Sequence, residues 1–172
     1  WLSTSGTAAI VEFPGVLYRG GAECKIRKYL VDNNYVDTVI QLPPDLFFGT
    51  TIATCVIVLK KSKKDNKTLF IDASAEFVRG GNKNKLSDSN RTKILEAFTE
   101  RTDKEYFAKL VDNKAIEEND YNIAISSYVE QEDTREIVDI KDLNVKIKQI
   151  VARQSELRTA IDDIVTDIEG IK

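Results

Sequence analysis

Histidine and methionine are both absent from these 172 residues, and cysteine occurs only twice. Without an imidazole there is no Ser-His-Asp or Cys-His nucleophile system and no histidine-ligated metal, since each needs that ring as base or ligand. A chain with no initiator methionine, opening on Trp1 straight into a strand-like pattern, reads as cut from something longer, with an N-terminal half expected before it. Cys24 and Cys55 lie in a helix-like and a strand-like pattern. That implies neither a disulfide framework nor a thiolate metal site, and both are expected to be core thiols. No apolar run approaches the ~20 residues that cross a bilayer, and the Ser- and Thr-containing start has neither a basic nor an apolar leader. A cytoplasmic protein away from membranes is expected.

What is present is ordinary globular material, 42% hydrophobic and 31% charged, enough for one good core or a core with an appendage. Residues 7–14 (TAAIVEFP) form an apolar, β-branched run closed by Pro14-Gly15, the pattern of a strand buried on both faces of a parallel sheet. Ala22 to Asn33 places Ile26, Tyr29, Leu30 and Asn33 at helical spacing, with Arg27 and Lys28 expected to face outward and Asn33-Asn34 to stop the helix. Three more strands are expected at 36–42, 52–59 and 68–73. The opening strand-helix-strand should be a parallel pair, while the later strands, joined by short segments, must pair antiparallel or lie apart. From Asp88 the spacing turns helical, through Ile94, Leu95 and Phe98 and then Phe107, Leu110 and Val111, with a further short turn at Ala115 to Asn119.

The clearest periodicity comes last. Ile140, Leu143, Ile147, Ile150, Gln154, Leu157, Ile161, Ile164, Ile168 and Ile171 alternate spacings of 3 and 4, an a/d seam of a coiled-coil type with Gln154 as its one polar member. Asp139 is the expected N-cap and Gly170 the stop, giving a helix of roughly 30 residues, ~45 Å long. Such a seam wants a partner helix. The organisation expected is therefore α/β: a partial sheet over 1–86, a helical subdomain over 87–136 and a long C-terminal helix over 137–172.

Charge is segregated too. Residues 60–93 carry ten Lys and Arg against four Asp and Glu, although the whole chain is net −3. Lys60, Lys61, Lys63, Lys64, Lys83 and Lys85 are candidates for DNA-backbone contact, with a solvated hairpin tip and loop as the alternative. Against a freestanding DNA binder stands a pI near 5.2. The loop 42–51 (LPPDLFFGTT) follows the carboxyl end of a strand, where open α/β sheets bind ligands, and holds Phe47, Phe48, Gly49 and Thr50. Its plainer reading is that one phenylalanine plugs the sheet edge. The Gly-rich stretch 13–23 is not a dinucleotide fingerprint, because Gly15, Gly20 and Gly21 do not make G-x-G-x-x-G. A turn needing positive φ suffices to explain it. No residue is assigned a catalytic or metal-binding role.

Taken in order, five strings resemble the modification subunit of type I restriction–modification systems, an adenine-N6 DNA methyltransferase family. They are Tyr18-Arg19-Gly20-Gly21-Ala22-Glu23 with Ile26-Arg27, Val39 to Pro43, Leu46 to Ile52, Phe70 to Ser74, and Asn119 to Asn122 with Tyr128-Val129. Departures are Phe13-Pro14-Gly15, Ala53 where many relatives have proline, and Ile123-Ala124-Ile125. The resemblance implies a Rossmann-like methyltransferase whose S-adenosylmethionine loop and Asn-Pro-Pro-aromatic motif lie upstream of the matched segment, so this chain binds no cofactor itself and is inactive alone. It implies that this segment supplies about four strands of the C-terminal half of that sheet, and that Phe47 to Thr50 flank a flipped adenine. It further implies docking of Leu143, Ile147, Ile150, Gln154, Leu157, Ile161, Ile164 and Ile168 to the specificity subunit, with the restriction (motor) subunit and DNA reached through the complex. The rival reading is an independent oligomerisation or regulatory protein whose long helix self-associates.

Overall fold

The computed structural model describes residues 2–132 and 139–170, and the chain divides into two compact units, Trp1–Glu132 and Asp133–Lys172. The first unit runs β1 (Thr7–Glu12), a 3-10 turn (Pro14–Leu17), α1 (Ala22–Asp32), β2 (Val36–Gln41), β3 (Cys55–Lys60), β4 (Lys67–Asp72), β5 (Val78–Gly80), β6 (Lys83–Lys85), α2 (Asp88–Glu100), β7 (Ala108–Asp112), α3 (Asn113–Glu118) and a second 3-10 turn (Ile125–Ser127). Five strands form one sheet in the order β1-β3-β2-β4-β7, and β5 and β6 form a separate hairpin. Only β2 and β4 pair parallel; the other three pairings in the sheet are antiparallel.

β2 and β4 read as continuous apolar runs because both faces of the sheet are covered there. Val36, Val39 and Phe70 pack on one side with Leu17, Val31, Ile116, Ile123 and Ile125, from the segments around α1 and α3. Ile40, Leu69 and Ile71 pack on the other with Ala97 of α2 and Phe107 and Ala108. Phe70 is wholly enclosed and stacks on Tyr128 with ring centroids 4.3 Å apart.

Four expectations are corrected. The opening strand-helix-strand is not a neighbouring pair: β3 inserts between β1 and β2 and bonds to both, because the 42–54 connection lets the chain reverse onto β2's flank. β1 is not buried on both faces. Five of its six residues are exposed, Ile10 and Val11 among them, since it is the edge strand and no helix covers it among the described residues. In α1 the expectation fails in part: Arg27 is 4% exposed while Ile26 and Tyr29 are each 59% exposed, although Lys28 faces outward and Leu30 packs on the core as expected. The Arg27 guanidinium is drawn inward by three carbonyls. Nε donates to Tyr121 O at 2.8 Å, and Nη1 to Val16 O at 3.0 Å and Arg19 O at 2.7 Å. Finally, Leu110 and Val111 are in a strand, not a helix. They point to opposite faces of the sheet, the period of two that β7 requires against β4. Residues 87–132 thus belong to the same unit as the sheet, and no boundary falls near residue 86.

The helix α2 starts where the sequence says, on a Ser87–Asn90 capping box, and α1 stops at Asn33, with Asn34 in the left-handed region at φ 56°. Cys55 is buried, its thiol pushed up to about 11 mainly by desolvation; Cys24 is only half-buried and is not a core thiol.

The second unit contains α4 (Ile140–Glu169), a single helix of 30 residues, ~45 Å long. The Asp139 carboxylate caps it by accepting from Lys141 N at 2.8 Å. No residue of α4 is buried. Its seam from Ile140 to Ile168 is open to solvent, and Ile171 lies outside the described residues.

Candidate functional site

At the carboxyl end of β2 the chain enters the 42–54 loop, and the β5–β6 hairpin holds that loop from the side. The base of the loop is closed by Leu42 N donating to Thr54 O at 2.8 Å and by the Gln41 amide donating to Leu42 O and Thr54 O. Thr54 Oγ1, buried under this closure, has no hydrogen-bond partner among the described residues.

Asn84 of β6 is the buried anchor. Its amide nitrogen Nδ2 donates to Pro44 O at 2.8 Å, and its backbone N–H donates to Asp45 O at 3.0 Å. Asp45, at φ 60°, receives Lys83 Nζ on one carboxylate oxygen and Arg79 Nη1 on the other, each at 3.1 Å. These two cations, Lys83 first, hold the Asp45 carboxyl below the usual carboxylate range. Lys83 Nζ also donates to Thr50 O at 3.0 Å, so one ammonium ties both limbs of the loop to the hairpin.

Between those limbs lies the tip, Phe47, Phe48 and Gly49. Gly49 takes φ 80°, a conformation that costs an L-residue ~1 kcal/mol or more. Phe48 is fully exposed and Phe47 39% exposed, so Phe48 does not plug the sheet edge. A Phe side chain left in water forgoes ~1.5–3 kcal/mol of burial. An aromatic face on a clamped loop is a platform on which a nucleobase can stack, an interaction worth ~1–3 kcal/mol per base.

The six lysines marked in the sequence do not lie together. Lys83 and Lys85 are on the hairpin beside the loop, whereas Lys60 and the turn bearing Lys61, Lys63 and Lys64 are at the other end of the sheet, because β3 runs antiparallel to β2 with Leu59 opposite Val36. Those ends are separated by five residues of strand, ~17 Å. Nor are all of them free for phosphate. Lys63 Nζ donates to Val36 O at 2.7 Å, in a cleft of about 530 Å³ shared with Asp37, Asp65 and Arg101. Desolvation pushes the Lys63 ammonium down to about 8, against the pull of Asp37 and Asp65.

Of the residues that hold the loop, Arg79 entered the sequence reading only as one of the ten cations of 60–93, and Asp45 and Asn84 were not singled out. The usable signal was Gly81-Asn82, a two-residue hairpin link with Gly81 at φ 66°, which places residues 78–80 and 83–85 opposite each other.

S-adenosylmethionine, the cofactor that the resemblance implies for the parent, does not fit these residues. Gly20-Gly21 enters α1 after a 3-10 turn rather than directly from a strand. The strand after that helix ends in Gln41, whose amide is already engaged, so no carboxylate stands where a ribose needs one. Among the described residues no cluster of three or more His, Cys, Asp or Glu is placed to hold a metal ion, and no helix is long and apolar enough to cross a membrane.

Comparison with known proteins gives consistent matches. Residues 1–137 match the family model for N-6 DNA methylase. The chain is 50% identical over 169 residues to the methylase subunit of the type I restriction enzyme MpnII of Mycoplasma pneumoniae, covering 98% of this chain and 31% of that subunit. The crystal structure of a type I restriction–modification methyltransferase subunit from Streptococcus thermophilus superposes with a TM-score of 0.71 at 48% identity, over 73% of this chain and 27% of that one. A chain from a structure of type I restriction–modification complex assembly and conformational transition matches in fold, with TM-score 0.58 and 14% identity over 98% of this chain and 37% of that one. The chain thus spans under a third of the lengths of the Mycoplasma and Streptococcus subunits.

Proposed function

The chain belongs to the N-6 DNA methylase family, and we propose that it is a segment of a type I restriction–modification methyltransferase subunit whose own task is docking and target-base positioning. The parent subunit transfers a methyl group from S-adenosylmethionine to adenine N6 in DNA. The groups that bind cofactor and activate the amine are supplied outside this segment, since neither its sequence motifs nor its loops offer them. α4 docks to the specificity subunit, which brings the segment to DNA and to the restriction (motor) subunit.

One observation carries this reading: the seam Leu143, Ile147, Ile150, Leu157, Ile161, Ile164 and Ile168 is exposed along a helix in which nothing is buried. At ~1.5–3 kcal/mol per fully buried Leu or Ile side chain, leaving a seam of this length uncovered is costly unless another helix covers it. Gln154 sits mid-seam, where a single polar residue fixes register and partner at some loss of stability.

The clamped loop supports the second half of the reading. Phe47 and Phe48 beside Gly49 and Thr50 offer a stacking face for a flipped adenine, and the Asp45 network holds that face still. Lys85 on the adjacent hairpin is the backbone-contacting lysine in this reading, Lys83 being held by Asp45 and Thr50; Lys60, Lys61, Lys63 and Lys64, at the far end of the sheet, reach DNA only along a longer path.

The test is co-purification of the chain with its cognate specificity subunit, comparing wild type with Ile150→Asp and Ile161→Asp. A complex formed by wild type and lost in both variants, with unchanged far-ultraviolet helical circular dichroism, supports docking through the seam. A complex that survives both substitutions refutes it.

A further inference from the structure

α4 carries its charge in two blocks. Up to residue 158, Lys141, Lys146, Lys148, Arg153 and Arg158 stand against only Asp142 and Glu156; from there to residue 169 come Asp162, Asp163, Asp167 and Glu169 with no cation. This polarity opposes the helix's own dipole, which favours anions near the N-terminus and cations near the C-terminus. The helix by itself gains nothing from the arrangement. A neighbouring helix with the reverse polarity would turn it from a cost into an attraction.

We infer that α4 pairs antiparallel with α4 of a second copy of this chain. The seam puts Ile140, Ile147, Gln154, Ile161 and Ile168 at heptad position a, Leu143, Ile150, Leu157 and Ile164 at d, and Lys146 and Asp167 at the flanking position g. In an antiparallel pair, a residues layer against d residues and g faces g. A register centred between residues 155 and 156 matches Leu143 with Ile168, Ile147 with Ile164, Ile150 with Ile161 and Gln154 with Leu157 of the second copy. The same register sets Lys146 of each copy against Asp167 of the other, and lays each basic block along an acidic one. The two Gln154 amides fall in adjacent central layers, ~4.5 Å apart along the axis, where each can donate to and accept from the other. A parallel pair would instead set basic beside basic and acidic beside acidic.

This goes beyond docking and shares with it only the premise that the seam binds outside its own chain. One seam cannot hold a second copy and a specificity subunit together, so self-pairing is a closed form that docking displaces.

Sedimentation equilibrium of the whole chain at low ionic strength tests it, with Lys146→Asp, Asp167→Lys and the double variant. Wild type is expected to dimerise. Each single variant, which turns two facing pairs from attractive to repulsive, is expected to weaken the dimer on the order of tenfold. The double variant restores both pairs with reversed sign and should recover to within about threefold of wild type. A chain that stays monomeric at every concentration, or a double variant weaker than either single one, overturns the proposal. If a monomeric chain still forms the specificity-subunit complex, docking stands and self-pairing alone fails.

Discussion

Replacing Arg27 by methionine should destabilise the first unit by ~3–4 kcal/mol. Arg27 is 4% exposed, and its guanidinium gives hydrogen bonds of 2.8, 3.0 and 2.7 Å to the carbonyls of Tyr121, Val16 and Arg19. It has no acidic partner within salt-bridge distance among the described residues; its charge rests on those dipoles. Hydrogen bonds from a charged donor are worth ~1.5–3 kcal/mol each. They do not add fully, and rehydrating three carbonyls and sparing the guanidinium its desolvation return part of the loss. Methionine matches the aliphatic stem, so packing changes little and the effect isolates the hydrogen bonds. All six tyrosines, and Trp1, lie in Trp1–Glu132, so near-ultraviolet circular dichroism follows this unit without interference from α4. At ~1–3 kcal/mol per molar of urea, the unfolding midpoint should fall by ~1–4 M, and Arg27→Lys, with one compact donor in place of a fork, should lose about half as much. A midpoint shift worth less than ~0.5 kcal/mol, the level of an ordinary surface substitution, would falsify the buried-staple account and restore an outward-facing Arg27.

Three further outcomes are expected. Lys63 holds a folded-state pKa of about 8, below its ordinary 10.5, so the unfolded chain binds more protons between those values and stability should rise with pH across that window; the stability difference between wild type and Lys63→Met should grow in wild type's favour from pH 8 to pH 10.5, by ~1 kcal/mol once solvent screening of a partly exposed ammonium is taken off, and a flat difference would refute the shift. Asp45 has a lowered folded-state pKa, so its contribution is present at neutral pH and lost as the solution is acidified through that pKa; Asp45→Asn should therefore speed exchange of the Asn84 backbone amide at least severalfold at neutral pH, and an unchanged rate would show that the carboxylate does not hold the loop. Phe48→Ala should leave thermal stability within ~0.5 kcal/mol, because its ring touches only solvent, yet should weaken stacking on the extruded base by ~1–3 kcal/mol, read as loss of fluorescence from 2-aminopurine at the target position in the assembled methyltransferase; a stability loss of several kcal/mol would mean the ring is packed.

The sequence alone determined whatever depends on neighbours along the chain. The central strands were legible because a strand covered on both faces is apolar throughout, as at 36–41 and 67–72. The start of α2 at Asp88 was legible from the change to helical spacing, and the limits of α4 were legible because Asp139 caps locally and because the spacing of 3 and 4 can persist over 30 residues only on a helix. The loop at 42–51 was legible as the connection that leaves the carboxyl end of a strand, from Pro43-Pro44 directly after the apolar run. Tertiary structure decided what depends on residues far apart. Whether Arg27 or Ile26 faces inward turned on carbonyls at Val16 and Tyr121, 11 and 94 residues away, which no helical periodicity encodes. Whether 108–112 is strand or helix turned on the free edge of β4, since a short apolar run satisfies either period until a neighbour supplies its hydrogen bonds. The clamp on the loop likewise joins Asp45 to Arg79 and Lys83, which are 34 and 38 residues away, and the split of the basic tract into two ends follows from strand direction alone. Local pattern fixes the element only where its period persists over a long run; the type of a short run, the face a residue presents and the charges it meets there are set by the partners that folding brings to it.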